Sequence, residues 1–194
     1  MNSSGNDSFT WKASTTGVFS VKSAYQLAYS TRSPGVKGSS SNMTQYRKFW
    51  KVLWKMKVPN KIKIHLWRAC MNAIPTGLAL HRRRVISDPV CLICGGGVET
   101  PTHALWTCPY AESVWALAPG RLSKMPVMDS DFFLLASWIF NTMSSEGIEL
   151  WATIVWAIWY ARNKFVHEKF LPTPQATIDM AIRLLNDFKR VTAG

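Results

Sequence analysis

Three cysteines and one histidine lie within eighteen residues, in the order Cys91-x2-Cys94-x8-His103-x4-Cys108. Thiolate sulfurs and an imidazole nitrogen at such short spacing are ligands that tetrahedral Zn²⁺ prefers in proteins. Glycines at positions 95–97 follow the first pair and let the backbone turn sharply. The alternative is a set of buried, satisfied thiols beside a core histidine. The metal site is favoured because three of the four cysteines of the chain fall in this one window.

The number of ligands indicates what the metal does. A catalytic zinc keeps one coordination position open for water, whereas here side chains fill all four positions. We therefore expect one structural zinc ion. Residues five apart on an ideal helix are about 140° out of register. The segment from His103 to Cys108 is therefore expected to unwind, or to end near Pro109.

The remaining thiol, Cys70, lies five residues after His65, which raises the alternative of a nucleophile and its base. Residues five apart on a helix do not face each other, and the sequence supplies no orienting group for such a pair. We expect Cys70 to be a small apolar residue on the buried face of a helix.

Carboxylates are sparse where catalysis would need them. Polymerase and RNase H chemistry requires clustered carboxylates that hold two metal ions on the transferring phosphate. Asp129 and Asp131 are the nearest approach to such a pair, and an exposed loop or a helix N-cap is expected for them. No catalytic residue is assigned, and the chain is predicted not to be an enzyme.

The net charge of +12 is concentrated in one part of the chain. Residues 8–87 hold fifteen Lys and Arg and no Asp or Glu, whereas residues 88–194 hold eight basic and ten acidic residues. An ordinary solvated face mixes both signs, so this asymmetry indicates a polyanion as partner. The candidate phosphate contacts are Arg47, Lys48, Lys51, Lys55, Lys61, Lys63, Arg68, Arg82, Arg83 and Arg84.

Periodicity predicts a mainly α-helical fold: a small N-terminal β-hairpin over residues 9–21, a helical bundle with the Cys3His zinc knuckle, and C-terminal helices. The first basic helix is expected over residues 44–56, with Trp50, Leu53 and Trp54 on its apolar face. The second is expected over residues 61–72, and Thr76 is expected to cap a third. In the second helix one side is expected to carry Leu66, Trp67, Cys70 and Met71, and the other Lys61, His65 and Arg68. Most tryptophans are expected in the core.

Four segments follow from these patterns: a hairpin plus helix over residues 1–30, a flexible linker over 31–43, a basic helical zinc-binding domain over 44–118, and a tryptophan-rich helical region over 119–194. The apolar stretches are too short or too interrupted to cross a bilayer. Cysteines assigned to metal suit a reducing compartment. We expect an intracellular protein of the nucleus or cytoplasm that does not associate with membranes.

An ordered series of motifs resembles a known family. The series is Trp11, residues 17–25, 50–55, 58–63, 66–68 and 74–76, Leu80, Arg82-Arg83, Cys91-x2-Cys94, Glu99-Thr100, His103, Cys108 and Trp115. It resembles the reverse-transcriptase zinc-binding domain of plant non-LTR (LINE-type) retrotransposons over about residues 11–116. A weaker similarity, Trp151-x4-Trp156-x2-Trp159-x2-Arg162-Asn163, is to the helical segment that precedes an RNase H domain in these polyproteins.

This resemblance implies a module downstream of a polymerase that grips template RNA or target DNA and performs no catalysis itself. It implies Cys91, Cys94, His103 and Cys108 as the zinc ligands. It also leads us to expect a stand-alone fragment without the polymerase and RNase H domains. The leading hypothesis is a retrotransposon-derived, zinc-stabilised module that binds RNA or DNA with weak sequence selectivity. The alternatives are a protein-interaction scaffold, with a polymerase as one partner, and a non-functional retroelement remnant.

Overall fold

Helices dominate the computed structural model, which describes residues 10–12, 18, 20, 23, 40–125 and 131–192. The α-helices are α1 (Ser40–Lys55), α2 (Asn60–Cys70), α3 (Gly77–Arg82), α4 (Pro109–Ala116), α5 (Phe132–Thr142), α6 (Ser145–Glu168) and α7 (Pro174–Thr192). A π-helical turn over His103–Thr107 precedes α4, and a 3₁₀ turn over Gly120–Lys124 follows it. The predicted mainly α fold is confirmed.

The predicted N-terminal hairpin is not supported. Most of residues 9–21 lie outside the described part of the chain, and the described positions 10–12, 18 and 20 are not in strands. The Trp11 Nε1–H donates to Ser23 Oγ at 2.9 Å, and the Ser23 N–H donates to Ser20 Oγ at 3.1 Å. Short serine side chains here bond to nearby backbone and side-chain groups, an arrangement that competes with strand pairing. In the described ranges the one β pairing is an isolated bridge between Val90 and Val98.

Two compact units divide the chain, residues 1–46 and residues 47–194. In the larger unit α6 is the central helix. Its Trp151, Ile154 and Ile158 side chains are fully buried, and it packs against α7 and α2. The Ser144 hydroxyl accepts a hydrogen bond from the Gly147 N–H, which caps the start of α6. Burial on several sides of α6 explains its lack of a clear polar face.

Helix α1 begins at Ser40, four residues before the predicted start at Thr44. Its buried side carries Phe49, which stacks on Phe140 with ring centroids 4.5 Å apart, and Leu53. Trp54 was expected on the same apolar face, but its side chain is 48% exposed. Trp54 lies about 100° around the helix from Leu53, beyond the edge of the buried arc.

The predicted faces of α2 are wrong in part. Leu66 and Cys70 are buried as expected, but Trp67 and Met71 are exposed. His65, expected on the polar side, is buried and stacks on Trp159 with ring centroids 5.6 Å apart. Helix α2 packs against both α5 and α6. Contact with these helices determines which side of α2 is buried, and apolar periodicity alone does not predict it.

Side-chain hydrogen bonds fix the positions of α3 and α4. The Thr76 hydroxyl accepts from the Ala79 N–H and caps α3, as predicted. The Tyr110 hydroxyl of α4 lies 2.9 Å from the Pro172 carbonyl oxygen and 2.7 Å from Thr177 Oγ1, which ties α4 to the start of α7. Of the helices that the structure describes, none has the length and apolarity needed to span a membrane.

Candidate metal centre and basic surface

The four predicted zinc ligands come together in space. The ligand atoms of Cys91, Cys94, His103 and Cys108 all lie within 4.8 Å of one another. The Cys91 and Cys108 sulfurs are 4.0 Å apart, and the Cys94 sulfur is 3.3 Å from His103 Nε2. Among the residues described here, these four form the one His/Cys/Asp/Glu cluster that could hold a metal ion.

The first pair of ligands lies on a tight backbone turn. The Gly95 N–H donates to the Cys91 carbonyl oxygen at 2.8 Å, and the Cys91 N–H donates to the Gly97 carbonyl oxygen at 2.9 Å. Gly95 has a φ of 65°, a conformation that glycine adopts without a steric penalty. The Gly96 N–H donates to the Cys94 sulfur at 3.4 Å. The turn thus points both sulfurs the same way.

The second pair of ligands is brought together by the π-helical turn. The Cys108 N–H donates to the His103 carbonyl oxygen at 2.8 Å, a bond between residues five apart. Such a bond closes one turn over five residues, so both side chains lie on the same side. Cys108 itself is extended, with φ −67° and ψ 135°. The predicted unwinding before Pro109 is therefore confirmed.

The donor set fits zinc. Zinc–sulfur bonds of about 2.3 Å in a tetrahedron place two sulfurs roughly 3.8 Å apart, close to the separation of Cys91 and Cys108. The hydrogen bond between these sulfurs raises the pKa of Cys91 and lowers the pKa of Cys108. A bound zinc ion would hold the thiolates and cross-link the knuckle to the π-helical turn.

A buried ion pair connects Glu99, which follows the zinc knuckle (residues 89–98), to helix α6. Glu99 follows the Val90–Val98 bridge, and its carboxylate oxygen Oε1 accepts from Arg162 Nη2 of α6 and from the Gly77 N–H at 2.9 Å. Both charged side chains are almost fully buried. A Cβ at position 77 would meet the Pro89 carbonyl oxygen at 2.7 Å, so glycine is needed for this close approach.

The predicted phosphate contacts on α1 share one side of the helix. Successive residues advance by about 100°, which places Arg47, Lys48, Lys51 and Lys55 within one arc of roughly 100°. All four side chains are exposed, and the arc lies opposite the buried Phe49. The first basic helix therefore presents its charge in one direction.

The three predicted contacts on α2 have different neighbours. Lys61 Nζ is 4.3 Å from the centre of the Trp156 ring of α6, a cation–π contact. Lys63 is half-buried, and its Nζ donates to the Trp54 carbonyl oxygen at 3.2 Å. Arg68 is exposed and donates to the Ala73 carbonyl oxygen.

The three consecutive arginines form a second basic cluster. Arg82 ends α3, Arg83 follows it, and Arg84 has a φ of 58°. All three are exposed, and Arg82 and Arg84 line a shallow, open depression. This cluster lies just before the Cys91 knuckle in the chain.

Comparison with known proteins identifies the family. A sequence-family model described as zinc-binding in reverse transcriptase matches residues 19–115. The chain belongs to this family. A protein of Arabidopsis thaliana named "Putative ribonuclease H protein" is 30% identical over 160 residues, which cover 79% of this chain and 24% of that protein. The chain thus spans about a quarter of the length of this relative. No solved structure matches the present chain.

As a reverse-transcriptase zinc-binding domain, the chain carries a Cys3His group able to hold one zinc ion, as predicted. All four candidate ligands fall within the matched residues. The bond between Glu99 and Arg162 reaches outside them, into the C-terminal helices. The sequence did not predict this contact, because no local pattern relates two residues so far apart in the chain.

The remaining candidates take structural positions. Cys70 is buried, and this burial raises its pKa, as expected for an unreactive core thiol. Burial also lowers the pKa of His65 to about 3, with a smaller effect of the Arg68 charge. Asp131 is the N-cap of α5, where it accepts from the Phe133 N–H, and Asp129 lies outside the described residues.

Proposed function

We propose that this zinc-binding domain binds RNA or DNA with weak sequence selectivity, through exposed cations of α1 and α2, and that Cys91, Cys94, His103 and Cys108 hold a structural zinc ion. The observation that supports nucleic-acid binding most directly is the exposed arc of four cations on α1. No carboxylate occurs from residue 8 to residue 87 to neutralise it. Phosphates would be neutralised along such an arc with release of counterions.

We infer further that the domain binds without catalysing a reaction. Two-metal phosphoryl chemistry needs carboxylates that converge on one place. The buried carboxylates are engaged elsewhere: Glu99 pairs with Arg162, and Glu149 accepts from the Lys57 N–H and pairs with Lys189 at 2.7 Å. Asp131 caps α5.

The family and the Arabidopsis relative support an origin in a plant non-LTR (LINE-type) retrotransposon. In that setting a polymerase would be the protein partner, and the nucleus or cytoplasm the place of action. A docking face on the tryptophan-rich C-terminal helices receives less support, since Trp151 and Trp159 of α6 are buried.

Binding across a salt series tests the proposal. Zinc-loaded protein should bind labelled RNA and duplex DNA at about 50 mM salt, and the affinity should fall steeply toward about 200 mM. The variant K51Q/K55Q removes two cations of the α1 arc. It should reduce the slope of log affinity against log salt on duplex DNA by about 1.8, since each phosphate contact contributes roughly 0.9.

The matched control is R121Q/K124Q, which removes two exposed cations from the 3₁₀ turn after α4. This control should leave the slope unchanged. Equal effects of the two double variants would show that only net charge matters and would remove the α1 arc from the proposal. Absence of binding to RNA and DNA at about 50 mM salt would overturn the proposed function itself.

A further inference from the structure

Several large apolar side chains of α2 and its neighbours are exposed beside cations. On α2, Ile64, Trp67 and Met71 follow at i, i+3 and i+7 and are 47%, 40% and 37% exposed. This spacing places them on one stripe of the helix. Lys61 and Arg68 lie on one side of the stripe and Lys63 on the other. The stripe is thus apolar in the middle and positively charged at both edges.

Aromatic rings continue this surface on both flanks. Toward α6, the rings of Trp156 and Tyr160 stack with centroids 5.5 Å apart, and Lys61 Nζ lies over Trp156. Tyr160 is 39% exposed. Toward α1, Lys63 Nζ donates to the carbonyl oxygen of the exposed Trp54. We call this surface, defined by Trp54, Lys61, Lys63, Trp67, Arg68 and Tyr160, the aromatic face.

We propose that the aromatic face binds single-stranded nucleic acid, with unpaired bases stacking on Trp67, Trp54 and Tyr160 and phosphates contacting Lys61, Lys63 and Arg68. This inference rests on the proposed nucleic-acid binding and specifies the form of the ligand. Bases in a duplex are covered on both faces by their neighbours, whereas unpaired bases offer a free π surface to an aromatic side chain. A duplex would contact the cations alone.

Charge complementarity favours a nucleic acid over a protein partner. Helices α1 and α2 carry no carboxylate. Lys61 Nζ lies over the Trp156 ring that stacks on Tyr160. Lys63 Nζ donates to the Trp54 carbonyl oxygen, and Arg68 follows Trp67 in the chain. Lysine is depleted at protein–protein interfaces, which gain their affinity from apolar cores with mixed polar rims. Alternation of cations with exposed rings is the composition of surfaces that follow a single strand.

The test uses the zinc-loaded full chain and fluorescently labelled oligonucleotides: oligo-dT, oligo-rU and a duplex DNA, each at about 50 mM salt. Three variants at one position separate stacking from apolar contact. W67A removes the ring, W67L keeps apolar area without a ring, and W67F keeps a ring. Fluorescence anisotropy should show W67A and W67L weakening single-strand binding roughly ten-fold or more, while W67F retains most of it. Duplex binding should change less than two-fold in all three.

Leu134 provides the control, because it is a 57% exposed apolar residue on α5 that lies outside the face. L134A should leave every affinity unchanged. Wild-type behaviour of W67L on single strands would show that the ring is not stacking and would overturn the inference. Equal losses on single strands and duplex would do the same. Either outcome would leave the proposed function unaffected. Absence of binding to all three oligonucleotides would overturn both this inference and the proposed function. The oligo-dT and oligo-rU results distinguish DNA from RNA as the strand.

Discussion

The zinc knuckle and the α5–α7 bundle are held together by different physical means. In the knuckle, over residues 89–98, Leu92 and Val98 are 62% and 47% exposed, and the turn depends on backbone hydrogen bonds and on the metal ligands Cys91 and Cys94. In the bundle, Trp151 and Leu135 are fully buried among other apolar side chains. Apolar burial stabilises the bundle, whereas ligands and polar contacts must stabilise the knuckle.

Zinc is therefore expected to stabilise the knuckle more than the bundle. Loss of the ion should unfold the knuckle and leave most of the bundle intact, so nucleic-acid binding would be affected second. The Glu99–Arg162 pair is a polar connection between the end of the knuckle and the bundle.

Replacement of one proposed zinc ligand should have the largest effect. Apparent zinc-binding free energies in zinc-finger peptides are about 10–16 kcal/mol, so C94S should lose stoichiometric zinc and the fold of the knuckle with it. Metal analysis and circular dichroism measure both. C70A, which changes a buried thiol outside the cluster, should retain one zinc per chain. Full zinc occupancy in C94S would contradict the ligand assignment.

Breaking the Glu99–Arg162 pair should come next. E99Q leaves the Arg162 charge buried without its counter-charge, which typically costs about 3–5 kcal/mol of unfolding free energy. Replacing both members, in E99L/R162M, should cost less than E99Q. Denaturant unfolding of the zinc-loaded protein provides the measurement. For comparison, D187N breaks the exposed Asp187–Arg190 pair and should have no measurable effect. A double variant less stable than E99Q would show that the pair is net stabilising.

A cavity in the bundle should destabilise the protein without releasing zinc. Leu135 is fully buried, and L135A should lower the unfolding free energy by about 2–5 kcal/mol while the folded protein keeps one zinc. The neighbouring L134A removes an exposed side chain and should be close to neutral. If L135A lost zinc while still folded, the two regions would depend on each other more strongly than their contacts indicate.

A smaller effect should follow from His65 as the pH is lowered. Burial lowers its folded pKa to about 3, whereas the ordinary value is 6.5, so below pH 6.5 the unfolded chain binds a proton that the folded chain does not. Stability is therefore present above pH 6.5 and is lost as the pH falls toward 3. From pH 7 to pH 5.5 the expected loss is about 1 kcal/mol.

Denaturant unfolding in excess zinc, with bound metal verified at each pH, isolates this contribution. H65Q should abolish it, and H81Q, at an exposed histidine, should not. An unchanged pH dependence in H65Q would assign the acid sensitivity to other groups.

Local spacing made part of the structure predictable. The ligand series, the unwinding between His103 and Cys108 and the Thr76 cap all depend on residues close in the chain. The mainly helical fold followed from apolar periodicity in the same way. These features are determined by backbone geometry over one or two turns, which the sequence displays directly.

Features that depend on neighbouring elements were not predictable. Periodicity placed Trp67 and Met71 on the buried side of α2, but packing against α5 and α6 buries His65 and leaves both exposed. The Glu99–Arg162 bond joins two distant segments for which the sequence offers no common signal. In the described N-terminal positions, Ser23 bonds to Ser20, where the alternating sequence pattern had predicted a strand.

Hydrogen–deuterium exchange with and without a zinc chelator measures whether zinc stabilises the knuckle while apolar packing stabilises the bundle. On chelation, amides of residues 89–98 should lose protection, while amides in the middle of α6, around Ile154 and Ile158, should keep most of theirs. Uniform loss of protection through α6 would contradict the account, as would unchanged protection of the knuckle after zinc has been removed.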